Sequence, residues 1–280
     1  MKKVLIPTDF SDNAWDALTY AIRLYDDIPS RFYILNSFQV SPSWITNTMH
    51  KERNTHMYRV LKEESEKELK KIEKYLDDNL LNDKHEYKIL SKIGSLINML
   101  KRIVVNKNID MIVMGTTGAT GAKEIFMGSN TVNTIKEIDQ CPIISVPKKY
   151  EYEEPEIVAF ANDLKRHFNA IELKCLIELQ LIHNFAIRII RVKKGNDLDS
   201  IQLQNKDLLL GYFDESNTSF EEIISNTNIT EAINDYVNDN NANMICLLNY
   251  EHSFIENLTH EPIIKKISFH SNVPLLILPV

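Results

Sequence analysis

The sequence predicts an α/β fold in two parts, each a parallel sheet with helices on both faces. Three observations support this. The chain has 280 residues, which is about the length of two domains. Apolar strand candidates alternate with helix candidates whose apolar residues recur at helical spacing. The strand pattern of the first half also recurs in the second half. Because strands buried on both faces are almost continuously apolar, this alternation favours parallel sheets covered by helices.

The first half contains five strand candidates and four helix candidates. The strands are predicted at Lys3–Pro7, Arg31–Phe38, His85–Lys92, Asp110–Met114 and Pro142–Val146. The helices are predicted at Ser11–Asp26, within Trp44–Leu80 (clearest over Lys62–Leu76), at Ser95–Val105 and at Ser129–Ile138. Ser11 is suited to cap the first helix, since a hydroxyl there can accept from a free backbone N–H.

The second half repeats this order in shorter form. Its strands are predicted at Glu156–Phe160, Ala186–Val192, Ser219–Ile224, Asn243–Leu248 and Val273–Pro279, with helices near Ser200–Phe213 and at Ile229–Val237. In this alignment Ala161-Asn162-Asp163 takes the place of Pro7-Thr8-Asp9. The expected division is a domain over 1–148, an acidic linker over 149–155 and a second domain over 156–280.

Composition excludes several classes of protein. With 44% hydrophobic and 25% charged residues the chain can form folded cores. The net charge of −7 and the lack of a basic stripe argue against nucleic-acid binding. No apolar run is long enough to cross a membrane or to serve as a secretory signal. The three cysteines form no C-x-x-C motif, so we expect neither a zinc ribbon nor disulfides, and a cytoplasmic location.

Charge and glycine are unevenly distributed. Residues 1–150 carry 22 basic and 19 acidic side chains, whereas residues 151–280 carry 10 and 20, so an anionic ligand is expected in the first half. The chain has only seven glycines, and four of them lie between Gly115 and Gly128. This cluster joins the end of a strand to the start of a helix, which is where open α/β sheets bind ligands.

The glycine cluster favours a phosphate site. Gly115 and Gly118 would allow the backbone to approach a phosphate closely. Gly128 precedes a helix whose free N–H groups favour an anion, and Ser129 and Thr131 add hydroxyl donors. Neither G-x-x-x-x-G-K-[ST] nor G-x-G-x-x-G is present. The alternative is that these glycines only end a strand and shape a loop.

The first half of the sequence resembles a known family. Gly115-x2-Gly118-x9-Gly128-Ser129 matches the G-x2-G-x9-G-[ST] signature of nucleotide-binding universal stress proteins. The segments Ile6–Ser11, Asp110–Gly115 and Cys141–Ile143 are also similar to that family. The resemblance covers Lys2–Lys148 by motif, but Glu156–Val280 only by strand pattern and the Pro274 segment. The chain therefore resembles a tandem universal stress protein.

The resemblance implies a Rossmann-like, adenine nucleotide α-hydrolase-like fold with five parallel strands in each half. It implies that ATP, or AMP or ADP, binds across the strand ends, with Mg²⁺ possible beside the nucleotide. Asp9 would then contact the nucleotide, although an Asp after a strand is otherwise a common helix cap. The nucleotide-binding residues carried over are Pro7, Thr8, Asp9, Ser37, Met114, Gly115, Gly118, Gly128, Ser129 and Asn130.

The second half is predicted to have lost this site. The segment that aligns with the glycine cluster, 248–262, contains no glycine, and Glu261 stands where Ser129 stood and would repel phosphate. His252 and His260 raise a metal hypothesis, but their spacing matches no zinc signature, and surface or partner-facing histidines are the favoured alternative.

Three functions remain open at this stage. The first is a regulatory, nucleotide-binding stress protein with one working site, whose halves pair through their last strands as an intramolecular pseudo-dimer. Homodimerisation and an unidentified regulatory protein partner are further expectations. The second is a slow ATPase, although no base, nucleophile or metal-binding carboxylate set accompanies Asp9. The third is an interaction or dimerisation module that does not depend on nucleotide.

Overall fold

The computed structural model describes residues 1–40, 48–116, 127–193, 195, 197–225, 227–249 and 271–280, with side chains in the long second helix described from residue 56 onward. The strands are β1 (Lys2–Pro7), β2 (Ser30–Phe38), β3 (His85–Ile93), β4 (Met111–Gly115), β5 (Ile143–Val146), β6 (Ile157–Ala161), β7 (Ala186–Lys193), β8 (Thr218–Ile224), β9 (Met244–Asn249) and β10 (Leu275–Pro279). The helices are α1 (Asp12–Leu24), α2 (Thr48–Asn79), α3 (Leu96–Lys107), α4 (Ser129–Glu137), α5 (Ala170–His183), α6 (Ser200–Leu210) and α7 (Ile229–Asp239).

All ten strands form one continuous sheet in the order β3-β2-β1-β4-β5-β10-β9-β6-β7-β8. Within each set of five the neighbouring strands are parallel. The two sets meet where β5 and β10 pair in antiparallel fashion, with Leu275 opposite Ser145 and Ile277 opposite Ile143. The predicted α/β class with parallel five-stranded units and helices is therefore confirmed, and the two sheets are joined edge to edge.

Helices cover both faces of the sheet because the strands alternate their buried side chains between two cores. Val4 and Ile6 point into one core, which receives apolar residues of α1, α2, α5 and α6. Leu5 points into the other core, which receives residues of α3, α4 and α7. The period of two along β1 thus divides its side chains between two helical layers.

The elements match the predictions to within a few residues, with one omission. Helix α5 (Ala170–His183) has no counterpart in the sequence prediction. Its apolar residues occur all round the helix and give no clear stripe, which hides the helical period. It begins with a capping box in which the side chain of Asn169 accepts from the backbone N–H of Glu172, 3.0 Å away.

The linker packs against α1 of the first half. Tyr150 and Tyr152 place their rings edge-on to Tyr20 of α1, with centroids 6.0 Å and 5.4 Å away. The backbone N–H of Lys149 donates to a carboxylate oxygen of Asp16 at 2.8 Å. In the described part of the chain, no helix is both long and apolar enough to span a bilayer.

Candidate functional site

A cleft of about 450 Å³ opens at the carboxyl ends of β1, β2 and β4, beside the first turn of α4. The structure brings nine of the ten sequence-predicted nucleotide residues to its wall, and Gly118 lies outside the described residues. Those nine are Pro7, Thr8, Asp9, Ser37, Met114, Gly115, Gly128, Ser129 and Asn130. They come from four separate parts of the sequence, and parallel strand order is what places them together.

The turn after β1 forms the first wall of the cleft. The Thr8 N–H donates to the Leu35 carbonyl at 2.8 Å and continues the β1–β2 pairing. Phe10 then adopts a left-handed conformation, with φ of 66°. The Ser11 N–H donates to Asp9 Oδ1 at 3.1 Å, while the Ser11 hydroxyl accepts from Ala14 N–H. Ser11 is therefore the cap of α1, and Asp9 shapes the turn with one oxygen while remaining exposed beside the cleft.

A buried asparagine holds the end of β4 against the start of α1. Asn13 is only 2% exposed, and its side-chain amide donates to the Val146 carbonyl at 3.1 Å. Its Oδ1 accepts from the Thr116 hydroxyl at 3.4 Å. A Cβ on Gly115 would lie 2.7 Å from both the side chain and the backbone carbonyl oxygen of Asn13. Gly115 is thus required for packing against α1, a different reason from the close phosphate approach expected from the sequence.

The first turn of α4 forms the opposite wall. Gly128 is its N-cap, and glycine has no side chain with which to cap the turn. The free amide N–H groups at such an end and the helix dipole favour an anion. The Gly128 N–H donates to the Thr116 carbonyl at 2.5 Å, and the Thr131 hydroxyl donates to the Gly115 carbonyl at 2.9 Å. These two bonds fix the N-terminus of α4 against the end of β4.

Charge at the cleft is sparse. Among the described residues that line it, Asp9 has the only charged side chain, and no lysine or arginine is present. An anionic group there would be bound by N–H groups, hydroxyls and the helix dipole. A carboxylate such as Asp9 suits neutral hydroxyl donors, because it only accepts hydrogen bonds when ionised.

Several lining residues were missed by sequence reasoning. Asn36 donates from its side-chain amide to the Thr8 carbonyl at 2.8 Å and so supports the turn after β1. Gly94 has φ of 137° and donates its N–H to the Phe38 carbonyl at 2.9 Å. The strand-end rule, applied to β2 and β3, would have found both. Ala14, Gln39 and Leu96 complete the missed set.

The second half contains a turn after β6 like the turn after β1, but helix α6 covers it. The Asn162 N–H donates to the Ile190 carbonyl at 2.9 Å, and the Lys165 N–H donates to Asp163 Oδ1 at 3.1 Å, as in the first half. There, however, α6 lies over the turn. The side-chain amides of Gln202 and Asn205 donate, each at 2.8 Å, to the carbonyls of Asp163 and Leu164. In the second half, two carbonyls of this turn are therefore hydrogen-bonded by side chains of α6.

The two histidines of the metal hypothesis lie outside the described residues. His252 and His260 both lie in the segment 250–270, of which the structure describes nothing. Among the residues that are described, no group of three His, Cys, Asp or Glu side chains could hold a metal ion.

The sequence and the fold are both similar to those of known proteins. A model of the universal stress protein family matches residues 1–147. A universal stress protein of Methanocaldococcus jannaschii is 31% identical over 155 residues, which is 52% of this chain and 82% of that protein. A second one from the same organism is 26% identical over 53% of this chain and 96% of its own length. The crystal structure of a universal stress protein from Archaeoglobus fulgidus DSM 4304 superposes with a TM-score of 0.64 at 17% identity. It covers 98% of this chain and 95% of its own, so the two share the fold over nearly their full length.

Proposed function

Because the chain belongs to the universal stress protein family, we propose that its first half binds an adenine nucleotide and that the protein acts as a nucleotide-responsive regulator of the stress response in the cytoplasm. ATP is the principal ligand, with AMP or ADP as alternatives and Mg²⁺ as a companion of the phosphates. The chain holds one such site, and the second half serves pairing and regulation.

One observation supports this proposal above the others. Residues from four separate parts of the sequence, which the family resemblance connects to nucleotide binding, line a single cleft at the strand ends. Its volume of about 450 Å³ lies within the usual range for small-molecule sites, about 300–1,000 Å³.

The chemistry of the cleft suits the parts of a nucleotide. The first turn of α4, whose N-cap is a glycine, would hold phosphate oxygens through its N–H groups and through the side chains of Ser129 and Asn130. The exposed carboxylate of Asp9 would accept from ribose hydroxyls. Pro7, Thr8 and Ser37 lie where backbone groups at the strand ends would meet the base. Mg²⁺ would accompany the phosphates as a balancing cation.

Calorimetric titration of the full chain with ATP and Mg²⁺ tests the proposal. We expect one saturable site per chain, and mass spectrometry of the purified protein should detect co-purified nucleotide. Asp9→Asn should weaken binding, whereas Asp163→Asn, the equivalent change in the second half, should not. Both variants retain an Oδ1 that can accept from the N–H two residues on.

Three results would contradict the proposal. A protein that carries no nucleotide and does not respond to added ATP would support the nucleotide-independent interaction module. Equal losses in Asp9→Asn and Asp163→Asn would remove the assignment to the first half. Rapid steady-state phosphate release would make the protein an ATPase and would contradict a regulatory binding role.

A further inference from the structure

The side chain of Asn36 lies in the wall of the first cleft and is held there by one end of its amide. Asn36 is only 8% exposed, and its Nδ2 donates to the Thr8 carbonyl at 2.8 Å. Because a carbonyl oxygen only accepts, this bond identifies the nitrogen of the amide and fixes which way the side chain is turned. Its Oδ1 is therefore directed away from the Thr8 carbonyl.

The Oδ1 of Asn36 is a hydrogen-bond acceptor that a ligand can reach. In the described part of the chain no N–H or O–H group bonds to it. It nevertheless keeps some accessible surface, which distinguishes it from the sealed polar atoms that lack a partner. Since Asn36 is otherwise buried and lines the cleft, this surface faces the cleft.

An asparagine of the second half makes the same kind of bond but hides its acceptor. Asn205 of α6 donates from Nδ2 to the Leu164 carbonyl, also at 2.8 Å. Its Oδ1 has almost no accessible surface and no described donor, and Asn205 is fully buried. Asn36 and Asn205 thus both support the turn after a first strand, but only Asn36 presents its oxygen to an open cleft.

The strand position of Asn36 carries a different residue in the second half. In each half this position directly follows the residue that pairs with the end of the first strand. It is Asn36 in β2 and Arg191 in β7. The guanidinium of Arg191 donates to the carboxylate of Glu222, and a guanidinium has no acceptor atom. The acceptor is therefore a feature of the first half alone.

The chemistry of a nucleotide decides which of its parts can meet this atom. Phosphate oxygens only accept when ionised, so they cannot bond to Oδ1, and the first turn of α4 is the better place for them. The base is expected beside Ser37, the next residue of β2. On its hydrogen-bonding edges adenine has one donor, the 6-amino group, and its other polar atoms are acceptors. An acceptor beside the base can therefore pair with adenine through the amino group.

We propose that Asn36 is a specificity-determining residue of the nucleotide site, whose Oδ1 accepts from the 6-amino group of adenine while Nδ2 stays on the Thr8 carbonyl. This inference rests on the proposed nucleotide function. A base without the amino group displaces water from Oδ1 and leaves the acceptor unpaired, which is costly in a nearly buried place. Asn36 thereby favours a base that carries an amino group over one that lacks it.

Calorimetric titration of the full chain with ATP and with purine riboside 5′-triphosphate tests the proposal. The second compound carries hydrogen where ATP carries the 6-amino group. We expect the wild type to bind ATP about two- to tenfold more tightly, which is the range for one neutral hydrogen bond. Asn36→Leu should lower the affinity for ATP more than that for the analogue, so that the preference disappears.

Two further variants separate reading of the base from support of the turn. Asn36→Asp loses the donor to Thr8 but keeps an acceptor, so binding should weaken while the preference for ATP remains. Asn205→Leu removes the equivalent support from the second half and should leave the preference unchanged. If Asn36 only supported the turn, Asn36→Leu would weaken ATP and the analogue by the same factor. Circular dichroism checks that each variant is folded.

Several outcomes would overturn the assignment of Asn36. These are equal binding of the two compounds by the wild type, an equal loss for both in Asn36→Leu, and loss of the preference in Asn36→Asp or in Asn205→Leu. If Asn36→Leu does not fold, the wild type and Asn36→Asp still decide. A wild type that binds neither compound would refute the proposed function as well, whereas binding of both without preference would refute only the role of Asn36.

Discussion

Phe10 and Leu164 follow the first strand of each half and share a left-handed backbone conformation, with φ of 66° and 59°, yet Phe10 is 36% exposed and Leu164 is fully buried. The two turns thus have the same local geometry but different surroundings. In the second half α6 covers the turn, and in the first half the turn borders the open cleft. This pair relates the open turn of the first half and the covered turn of the second to a specific difference in packing.

The contrast predicts different effects of glycine at the two positions. In Phe10→Gly, relief of left-handed strain offsets the greater freedom of the unfolded chain, so we expect a change in unfolding free energy within about 1 kcal/mol. In Leu164→Gly the same relief is outweighed by the loss of a buried side chain, and we expect a loss of about 2–5 kcal/mol. Urea denaturation measures both values. Similar losses at the two positions would show that the burial difference does not exist in solution.

Gly115→Ala should destabilise the protein by about 1–3 kcal/mol, because the added Cβ meets Asn13 at 2.7 Å. Asn13→Ala in the same chain should not restore stability, since the backbone carbonyl oxygen of Asn13 is equally close and the buried amide bond to the Val146 carbonyl is lost as well. Gly211→Ala is the matched control. Its φ is −67° and the nearest atom to its Cβ would be 3.5 Å away. Urea denaturation measures the stability of both variants. If Gly115→Ala were as stable as wild type, the close packing of Gly115 against Asn13 would be contradicted.

Removal of the buried hydroxyl should have opposite effects on stability at Ser145 and at Thr131. Ser145 is fully buried in β5, and no described group bonds its hydroxyl. Ser145→Ala should therefore leave stability unchanged or raise it by up to about 1 kcal/mol. Thr131 donates to the Gly115 carbonyl at 2.9 Å, so Thr131→Val should lower stability by about 1 kcal/mol. The comparison uses urea midpoints, and a loss in Ser145→Ala as large as that in Thr131→Val would be inconsistent with these environments.

The three cysteines should be nearly inert in the folded protein. Burial raises the pKa of Cys141 and Cys246 above the ordinary thiol range and that of Cys175 to about 12. Because only the thiolate reacts, at pH 8 about one Cys175 in ten thousand would be in the reactive form. A disulfide reagent followed by absorbance should therefore react slowly in buffer and rapidly in urea. Fast release of one equivalent from the native protein would contradict the raised pKa values of the thiols.

The sequence was sufficient to predict the strands of each half and most residues that line the first cleft. Apolar strands and the glycine spacing depend on local chemistry, which a sequence displays directly. It did not reveal the role of Asn13, whose partners Val146 and Thr116 lie more than 100 residues away. It also missed α5, whose apolar residues occur all round the helix and conceal its period. A second cleft, between the linker, α1 and the end of α5, likewise depends on residues from both halves that only tertiary packing brings together.

The antiparallel pairing of β5 with β10 has a consequence for how the two halves could change. When identical subunits associate about a two-fold axis, every substitution appears on both sides of the interface at once. In a single chain each side can vary alone, and contacts between the halves here are indeed unlike. Lys2 pairs with Glu178 at 2.5 Å, and the Asn249 amide donates to the Ile135 carbonyl at 2.8 Å. Because the two halves are tethered in one chain, dilution does not separate them. Each molecule therefore always has one half with an open turn after its first strand and one half in which α6 covers that turn.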